Sequence, residues 1–359
     1  MTDNFLTAEE NIAINLKRLY KSYGYRAYGL ASFEEYSLYT ENIDFLTSGS
    51  VATFNSNGKL LALRPDVTLS IAKNIKLKKG ETAKIFYDEK VYRTSNSAKE
   101  FKEVSQIGVE IMGEVDEVSQ AELITLALKT LNQVDTHFIL DVAHMGITAA
   151  LLSELNLSTE DETKVLSFLK SKNLNGFESF IKDKNCTNAS VNAFKTLIRC
   201  DGEPFYVLGK IKENNLNEAA IRAVEELETV LNTVGETKNI NIDFSIVNSS
   251  AYYNGIIFKG YLSCVPYSVL SGGRYDNLSK SFNKNLCAIG FALYLGELSA
   301  YLSDNKSDAE IAVLYNGKNA KLAFATAEKL RKKNKSVLLC KNVPCDYKGK
   351  IVYPKEELI

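Results

Sequence analysis

The chain has 359 residues, of which 45% are apolar and 24% are charged. These values are typical of a globular protein with two or three domains rather than one. The 43 basic and 44 acidic residues are interspersed and give a formal net charge of −1, which disfavours a long basic surface for nucleic acid.

The cysteines and the N-terminus bear on the cellular compartment. The six cysteines form no CxxC pair, and Cys340 and Cys345 have no neighbouring histidine to complete a metal site. Residues 1–6 lack a basic segment followed by an apolar one, and no apolar run reaches the roughly 18 residues that span a bilayer. We therefore expect a cytoplasmic protein with reduced thiols, no metal, no other cofactor and no membrane contact.

The N-terminal part of the chain predicts a mixed α+β block. Thr7 and Glu10 form a capping-box pattern ahead of a first helix. Strand patterns with antiparallel hairpins follow, including 84–93 and 104–112, and Ser119 opens a later helix.

The middle of the chain is predicted to be helical in several short pieces. Ser158 and Asn217 are candidate helix starts, and 205–208 is the one stretch there with a strand pattern. Further strand patterns follow at 241–247, 255–262, 267–270 and 286–293, and then a helix from about Gly296.

The tail reads as strand, helix, strand and strand, a small α/β module. The sequence thus predicts four regions: the first part of a core (1–145), a mainly helical insertion (146–236), the second part of the core (237–305) and the C-terminal module (306–359).

Four stretches carry candidate chemistry. Asp66 and Thr68 share one face if their segment is extended, and together they suit an ammonium group; a solvated turn at Pro65 is the alternative. Gln106 and Glu110 alternate with apolar residues and predict a polar lining, or else a sheet face in water.

The third stretch holds Tyr252 and Tyr253. Neighbouring tyrosines on a strand point to opposite faces, so one is expected in the core and one at a pocket or in solvent. The fourth stretch is SGGRYD at 271–276, in which Gly272 and Gly273 allow close backbone approach, although they also suit a turn.

Taken in order with the segment AIGFAL at 288–293, these stretches resemble the catalytic core of histidyl-tRNA synthetases over residues 5–303. The resemblance implies a class II aminoacyl-tRNA synthetase-like antiparallel sheet with flanking helices. It also implies a set of histidine-binding residues: Asp66, Thr68 and Gln106 for the amino group, and Glu110 with Tyr252 or Tyr253 for the imidazole. The family usually has glutamate at the position of Asp66.

The ATP side of that family's site does not match. Arg93 fits the motif 2 arginine, but Ser95 stands where a glutamate is expected. Asn248 replaces an arginine that assists adenylation, and Gly296 and Glu297 take the places of an acidic residue and an arginine in motif 3. Because loss of one cationic donor typically costs about 10² to 10³ in rate, we expect no histidine adenylation.

A synthetase core without ATP chemistry resembles the regulatory subunit of ATP phosphoribosyltransferase, as do the segment ILDVAHMG at 139–146 and the short C-terminal module. The resemblance implies a non-catalytic, allosteric subunit in histidine biosynthesis that binds L-histidine. It implies a short-form catalytic subunit as partner and a homodimer within a hetero-oligomer, with tRNA not expected. Arg93 and Arg274 are further pocket candidates, and His144 is expected to cap a helix or pack in the core.

Two other functions stay open on sequence alone. One is a divergent histidyl-tRNA synthetase paralogue that activates an amino acid, and the other is a structural scaffold whose pocket is a relic. The sign of any regulatory effect also stays open, as does whether histidine binds this pocket or a subunit interface.

Overall fold

The computed structural model describes residues 6–46, 51–78, 80–94, 100–246, 252–282, 284, 286–298, 301–302, 309–344 and 347–354. The chain divides into two compact units, Met1–Leu302 and Ser303–Ile359. The division into four regions stays a prediction.

The helices of the described residues are α1 (Ala8–Ser22), α2 (Ser37–Thr40), α3 (Val67–Asn74), α4 (Glu117–Val134), α5 (Met145–Ser153), α6 (Thr159–Lys170), α7 (Leu174–Ile181), α8 (Asn188–Arg199), α9 (Pro204–Lys212), α10 (Glu218–Val234), α11 (Asp276–Ser281), α12 (Leu295–Leu298) and α13 (Ala320–Arg331). Short 3₁₀ turns lie at Ile43–Phe45 and Phe244–Ile246. We call α5 to α10 the six-helix segment.

The strands of the same residues are β1 (Arg26–Ala27), β2 (Phe33–Glu35), β3 (Thr53–Ser56), β4 (Lys59–Leu63), β5 (Ala83–Thr94), β6 (Phe101–Gly113), β7 (Phe138–His144), β8 (Ile240–Ile242), β9 (Ile256–Leu262), β10 (Leu270–Arg274), β11 (Cys287–Tyr294), β12 (Ile311–Leu314), β13 (Val337–Cys340) and β14 (Lys350–Val352).

An eight-stranded sheet in the order β1-β5-β6-β11-β10-β9-β7-β8 organises the first unit. Its inner pairs are antiparallel, and only the edge pairs β1–β5 and β7–β8 are parallel. The predicted antiparallel sheet with flanking helices is therefore confirmed. A small antiparallel sheet, β2-β4-β3, precedes α3.

One face of the large sheet packs on helices α1 and α4. Ile107, Val109 and Ile111 of β6 are fully buried in the same cluster as Leu16 of α1 and Leu123 of α4. The side chains between them on β6 therefore project to the opposite face. That face carries the site described below.

Several predicted helix starts are confirmed by their caps. Thr7 closes a capping box on α1 with Glu10, and Ser158 and Asn217 cap α6 and α10. The predicted start of α4 at Ser119 is wrong, because the carboxylate of Asp116 accepts the Ser119 backbone N–H and the helix begins at Glu117.

Three strand predictions need correction. Residues 205–208 lie in α9, because Glu203 caps that helix and Pro204 occupies its first turn. The strand predicted at 241–247 ends at Ile242, and a 3₁₀ turn follows at Phe244–Ile246. Val247 lies outside the described residues. The 267–270 strand begins only at Leu270.

Strand β10 therefore includes Gly272 and Gly273, which are in the sheet rather than in a turn. A Cβ at Gly272 would lie 2.4 Å from the Gly290 carbonyl oxygen, and one at Gly273 would lie 2.7 Å from the Ile256 oxygen. The predicted close backbone approach at this pair is therefore confirmed, and it occurs between neighbouring strands of the sheet.

The second unit contains a parallel sheet in the order β13-β12-β14 with helix α13. Val313, Ala323 and Ala327 form its buried core. The predicted order of strand, helix, strand and strand is confirmed.

Candidate functional site

A cavity of about 420 Å³ opens on the polar face of the large sheet. All six residues predicted to bind histidine line it, together with Arg93: Asp66, Thr68, Gln106, Glu110, Tyr252 and Tyr253. We call it the Glu110 cavity. The fold thus brings together side chains from β5, β6, α3 and the segment before β9.

Glu110 lies at the buried end of this cavity, with 1% of its surface exposed. Its Oε1 accepts a hydrogen bond from Thr68 Oγ1 at 2.9 Å, and its Oε2 accepts one from the Tyr275 hydroxyl at 2.5 Å. Burial raises the pKa of Glu110 to about 8 although both hydrogen bonds lower it. The carboxyl is therefore protonated in much of the empty protein near pH 7, and an N–H donor or cation favours its ionised form.

Gly290 makes the room that this carboxyl occupies. It pairs with Glu110 across β11 and β6, and a Cβ on it would lie 1.4 Å from Glu110 Oε2. Any other residue at 290 would displace the carboxyl. The contacts of Tyr275 and Gly290 with this carboxyl were not predicted, although the segments SGGRYD and AIGFAL contain the two residues.

Asp66 caps α3 rather than continuing an extended segment. Its Oδ1 accepts the Leu69 backbone N–H at 2.8 Å, and Thr68 lies in the first helical turn. The expected extended face is therefore wrong, and so is the solvated turn, because Asp66 is 7% exposed and Pro65 is buried. The helix start, not a strand, presents both side chains to the cavity.

Gln106 is 2% exposed, so the β6 polar face is not in water. Its buried Nε2 has no hydrogen-bond partner among the described residues. An unsatisfied buried amide donor costs about 1 to 3 kcal/mol, which a ligand acceptor would remove. The side chain is therefore suited to a polar ligand.

Tyr252 and Tyr253 both line the cavity, with ring centroids 4.6 Å apart and planes at 63°. The prediction that they point to opposite faces is wrong, because both precede β9 and are not in a strand. Burial raises the pKa of both phenols well above its usual range. Both hydroxyls therefore stay neutral.

The two candidate arginines lie in different places. Arg93 lines the cavity, donates from Nε to the Pro65 oxygen at 2.8 Å, and places Nη2 3.4 Å from Asp66 Oδ2. Arg274 is not among the lining residues, since its guanidinium pairs with Asp276 and Glu226.

His144 caps α5, as expected. Its Nδ1 accepts the Gly146 backbone N–H at 3.1 Å, and the side chain is buried with Nε2 3.4 Å from Glu226 Oε2. The contact with His144 and a hydrogen bond donated by Gln120 Nε2 lower the pKa of Glu226 to about 2 although burial raises it.

A second cleft, of about 840 Å³, adjoins the cavity through Arg93 and Tyr294. Gly296 and Glu297 line it, and burial raises the pKa of Glu297 while Arg93 lowers it. A carboxylate thus stands on the side where the resemblance led us to expect an arginine. Ser95 and Asn248 lie outside the described residues.

The described residues contain no group of three or more histidine, cysteine or acidic side chains placed to hold a metal ion. No helix within them is long and apolar enough to cross a membrane.

Comparison with known proteins gives one consistent group. A family model described as histidyl-tRNA synthetase matches residues 3–298. An ATP phosphoribosyltransferase regulatory subunit from Caldanaerobacter subterraneus subsp. tengcongensis is 30% identical over 93% of this chain and 92% of its own length. The subunit of that name from Clostridium kluyveri is 29% identical over 90% of this chain and 86% of its own length.

Solved structures share the fold. A Bacillus halodurans ATP phosphoribosyltransferase regulatory subunit/histidyl-tRNA synthetase has a TM-score of 0.80 at 22% identity, covering 96% of this chain and 93% of that one. Nostoc histidyl-tRNA synthetase has a TM-score of 0.72 at 16% identity, covering 96% and 86%. A chain of the Thermotoga maritima ATP phosphoribosyl transferase complex has a TM-score of 0.63 at 18% identity, covering 81% and 98%. The fold is class II synthetase-like, as expected.

Proposed function

Because the chain belongs to the ATP phosphoribosyltransferase regulatory subunits of the histidyl-tRNA synthetase family, we propose that it binds L-histidine in the Glu110 cavity and so controls a short-form ATP phosphoribosyltransferase catalytic subunit. The observation that carries the proposal is that one cavity is lined by both the buried Glu110 carboxyl and the unpartnered amide donor of Gln106. A polar ligand would give the Gln106 donor its acceptor.

Histidine matches this arrangement group by group. The imidazole has an unperturbed pKa near 6.5, so an imidazole N–H and the Glu110 carboxyl share a proton readily around neutral pH. Tyr252 and Tyr253 flank the ring. Asp66 and Thr68 suit the ammonium group, and the Gln106 amide offers its oxygen to that group and its N–H to the carboxylate.

A regulatory rather than catalytic role is supported by the ATP side. Glu297 is an exposed carboxylate on the wall of the adjoining cleft, where it would repel the negative charge of a triphosphate. Arg93 is the one arginine that lines either space among the described residues, and it is paired with Asp66. Among the described residues, Arg93 and the exposed Lys102 are the cations of this cleft, and we expect them not to support adenylation of bound histidine.

The proposed assembly is a homodimer of this chain within a cytoplasmic hetero-oligomer with the catalytic subunit, without tRNA. Histidine acts as the allosteric signal of histidine biosynthesis. Coupling between two sites in one assembly typically amounts to about 1 to 3 kcal/mol, which is enough to shift the partner's activity several-fold.

Two measurements test the proposal. Calorimetry of L-histidine with the purified chain, alone and with the catalytic subunit, is expected to show saturable binding that Glu110→Ala abolishes. No binding in either state would refute the sensor role. Co-purification with a short phosphoribosyltransferase tests the partner separately. Histidine regulation that survives Glu110→Ala would instead favour a scaffold with a relict pocket.

The presence of Arg93 at the cavity favours one alternative function, which is enzymatic. A divergent synthetase paralogue would catalyse histidine-dependent exchange of pyrophosphate into ATP. We expect no exchange above background, and a histidine-dependent rate would replace the regulatory proposal with an enzymatic one.

A further inference from the structure

Two acidic and two basic residues line the Glu110 cavity, and only one acid and one base among them form an ion pair. The four residues are Asp66, Glu110, Arg93 and Lys170. Arg93 pairs with Asp66, and Glu110 accepts bonds only from neutral hydroxyls. The Lys170 side chain has no ion pair or hydrogen bond with any other described residue. An acid at the buried end and a free cation elsewhere on the wall suit a zwitterionic ligand.

Lys170 differs from the other lining residues in origin. It is the last residue of α6 and its side chain is exposed. Every other described residue of the cavity wall comes from the large sheet, from helix α3 or from connecting segments, and none from the six-helix segment. A ligand that touches Lys170 therefore bridges the sheet and the six-helix segment.

A second lysine marks the same side of the cavity. Lys259 of β9 pairs in register with Ser271 of β10, which lines the cavity, so both side chains project from one sheet face. Burial lowers the pKa of Lys259, and the charge of Lys170 lowers it further, while Asp141 and Asp243 raise it. Asp141 and Asp243 thus balance Lys259, which leaves the Lys170 ammonium as the cation on this side that is available to an anion.

We infer that Lys170 binds the carboxylate of the amino acid in the Glu110 cavity and thereby ties helix α6 to the occupied site. The inference rests on the proposed function and adds to it a cation that binds the ligand's carboxylate. The ligand's N–H groups face Glu110 and Asp66, and its carboxylate faces α6. Binding of the amino acid is thus transmitted to the six-helix segment through one lysine.

The test compares two ligands on matched variants by calorimetry. Lys170→Met is expected to weaken L-histidine binding about fivefold, the scale of a partly exposed charge pair. Histamine, which has the imidazole and amine but no carboxylate, is expected to bind both proteins equally. Lys170→Arg should restore histidine affinity. Lys238→Met, an exposed lysine outside the cavity wall, is the control for charge removal.

Hydrogen exchange gives a second readout on the intact chain. L-Histidine is expected to slow amide exchange in α6 of the wild type and much less in Lys170→Met at saturating ligand. Unchanged histidine affinity in Lys170→Met, or an equal loss for histamine, overturns the inference and leaves the proposed function standing. Failure of the wild type to bind histidine overturns both.

Discussion

At the scale of single residues, burial of Glu110 links stability to pH. The carboxyl has an ordinary pKa of 4.5 and one of about 8 in the folded chain, because it is desolvated. Below pH 4.5 both states hold the proton. As pH rises towards 8 the unfolded state releases it first, so stability falls across this interval and then stays constant.

We therefore predict that Glu110→Gln stabilises the empty protein at pH 8 by about 2 to 4 kcal/mol more than at pH 5. Glutamine keeps groups that can bond to Tyr275 and Thr68 but carries no charge. Urea unfolding at the two pH values measures the difference. The variant should also lose at least about tenfold in histidine affinity, as expected for a buried charge-assisted hydrogen bond. Equal stability changes at both pH values would contradict the assignment of burial as the cause.

Gly290 gives a second prediction, with a matched control in the same chain. Gly290→Ala places a Cβ 1.4 Å from Glu110 Oε2. We expect it to lower the free energy of unfolding by at least about 2 kcal/mol, because the sheet backbone cannot move aside. We also expect it to abolish histidine binding. Gly209→Ala, an exposed helical position with no atom within 4 Å of its Cβ, should be neutral or stabilise by up to about 1 kcal/mol. Thermal unfolding of both variants, with calorimetry of histidine, decides the matter. A tolerated Gly290→Ala would mean that Glu110 lies elsewhere.

Alternation along β6 was enough to place Gln106 and Glu110 on one face. It did not predict that this face is buried. Tyr275 and Gly290, which cover Glu110, are distant from it in sequence, and the pairing of β11 with β6 and the Tyr275 hydrogen bond bring them into contact with it. Nor did composition indicate Lys170 as part of the wall. Those contacts depend on topology, which local patterns do not encode.

At the scale of elements, side-chain hydrogen bonds stabilise helix α3 at both of its ends. Asp66 caps its N-terminus from the cavity wall, and Lys284 Nζ donates to the carbonyl oxygens of Ala72, Lys73 and Ile75, each at 2.7 Å. Burial lowers the pKa of Lys284. Since α3 carries Thr68 into the cavity, its C-terminal support bears on ligand binding.

Lys284→Met is therefore predicted to destabilise the fold by about 1 to 3 kcal/mol, because three carbonyls of the helix end lose their shared charged donor. Histidine affinity should fall by a few-fold as Thr68 loses its fixed position. Lys280→Met, which removes a lysine that bonds only weakly to Asn277 at 3.4 Å on the surface, is the control. Urea unfolding and calorimetry of the two variants provide the comparison, and equal effects would show that the contacts at Lys284 add nothing.

Element boundaries were less predictable than element types. Pro65 suggested a turn, yet the Asp66 carboxylate accepts the Leu69 N–H and starts α3 at once. Residues 205–208 have apolar and aromatic side chains that suit a strand, but the cap at Glu203 makes them helical. In both cases one side-chain cap outweighed a weak residue preference, and such caps are recognised from sequence only when alternative acceptors are absent.

At the scale of the whole molecule, the large sheet separates two tasks. One face packs on α1 and α4 in a dry core, and the other leaves the Glu110 cavity between sheet, α3 and α6. Sequence patterns predicted the strands but not their order, since β6 takes β11 as its neighbour only after the six-helix segment has passed. The family resemblance, rather than periodicity, predicted this arrangement.

All described residues of the cavity wall belong to Met1–Leu302, which has its own extensive core, whereas Ser303–Ile359 has a separate small one. We therefore predict that a chain truncated after residue 302 folds and binds L-histidine within about twofold of the full-length affinity, since it keeps every contact that orders the site. Circular dichroism and calorimetry of the truncated chain measure this, with the same truncation carrying Glu110→Ala as the non-binding control. A folded truncated chain with more than about tenfold weaker binding would show that the C-terminal unit takes part in the site.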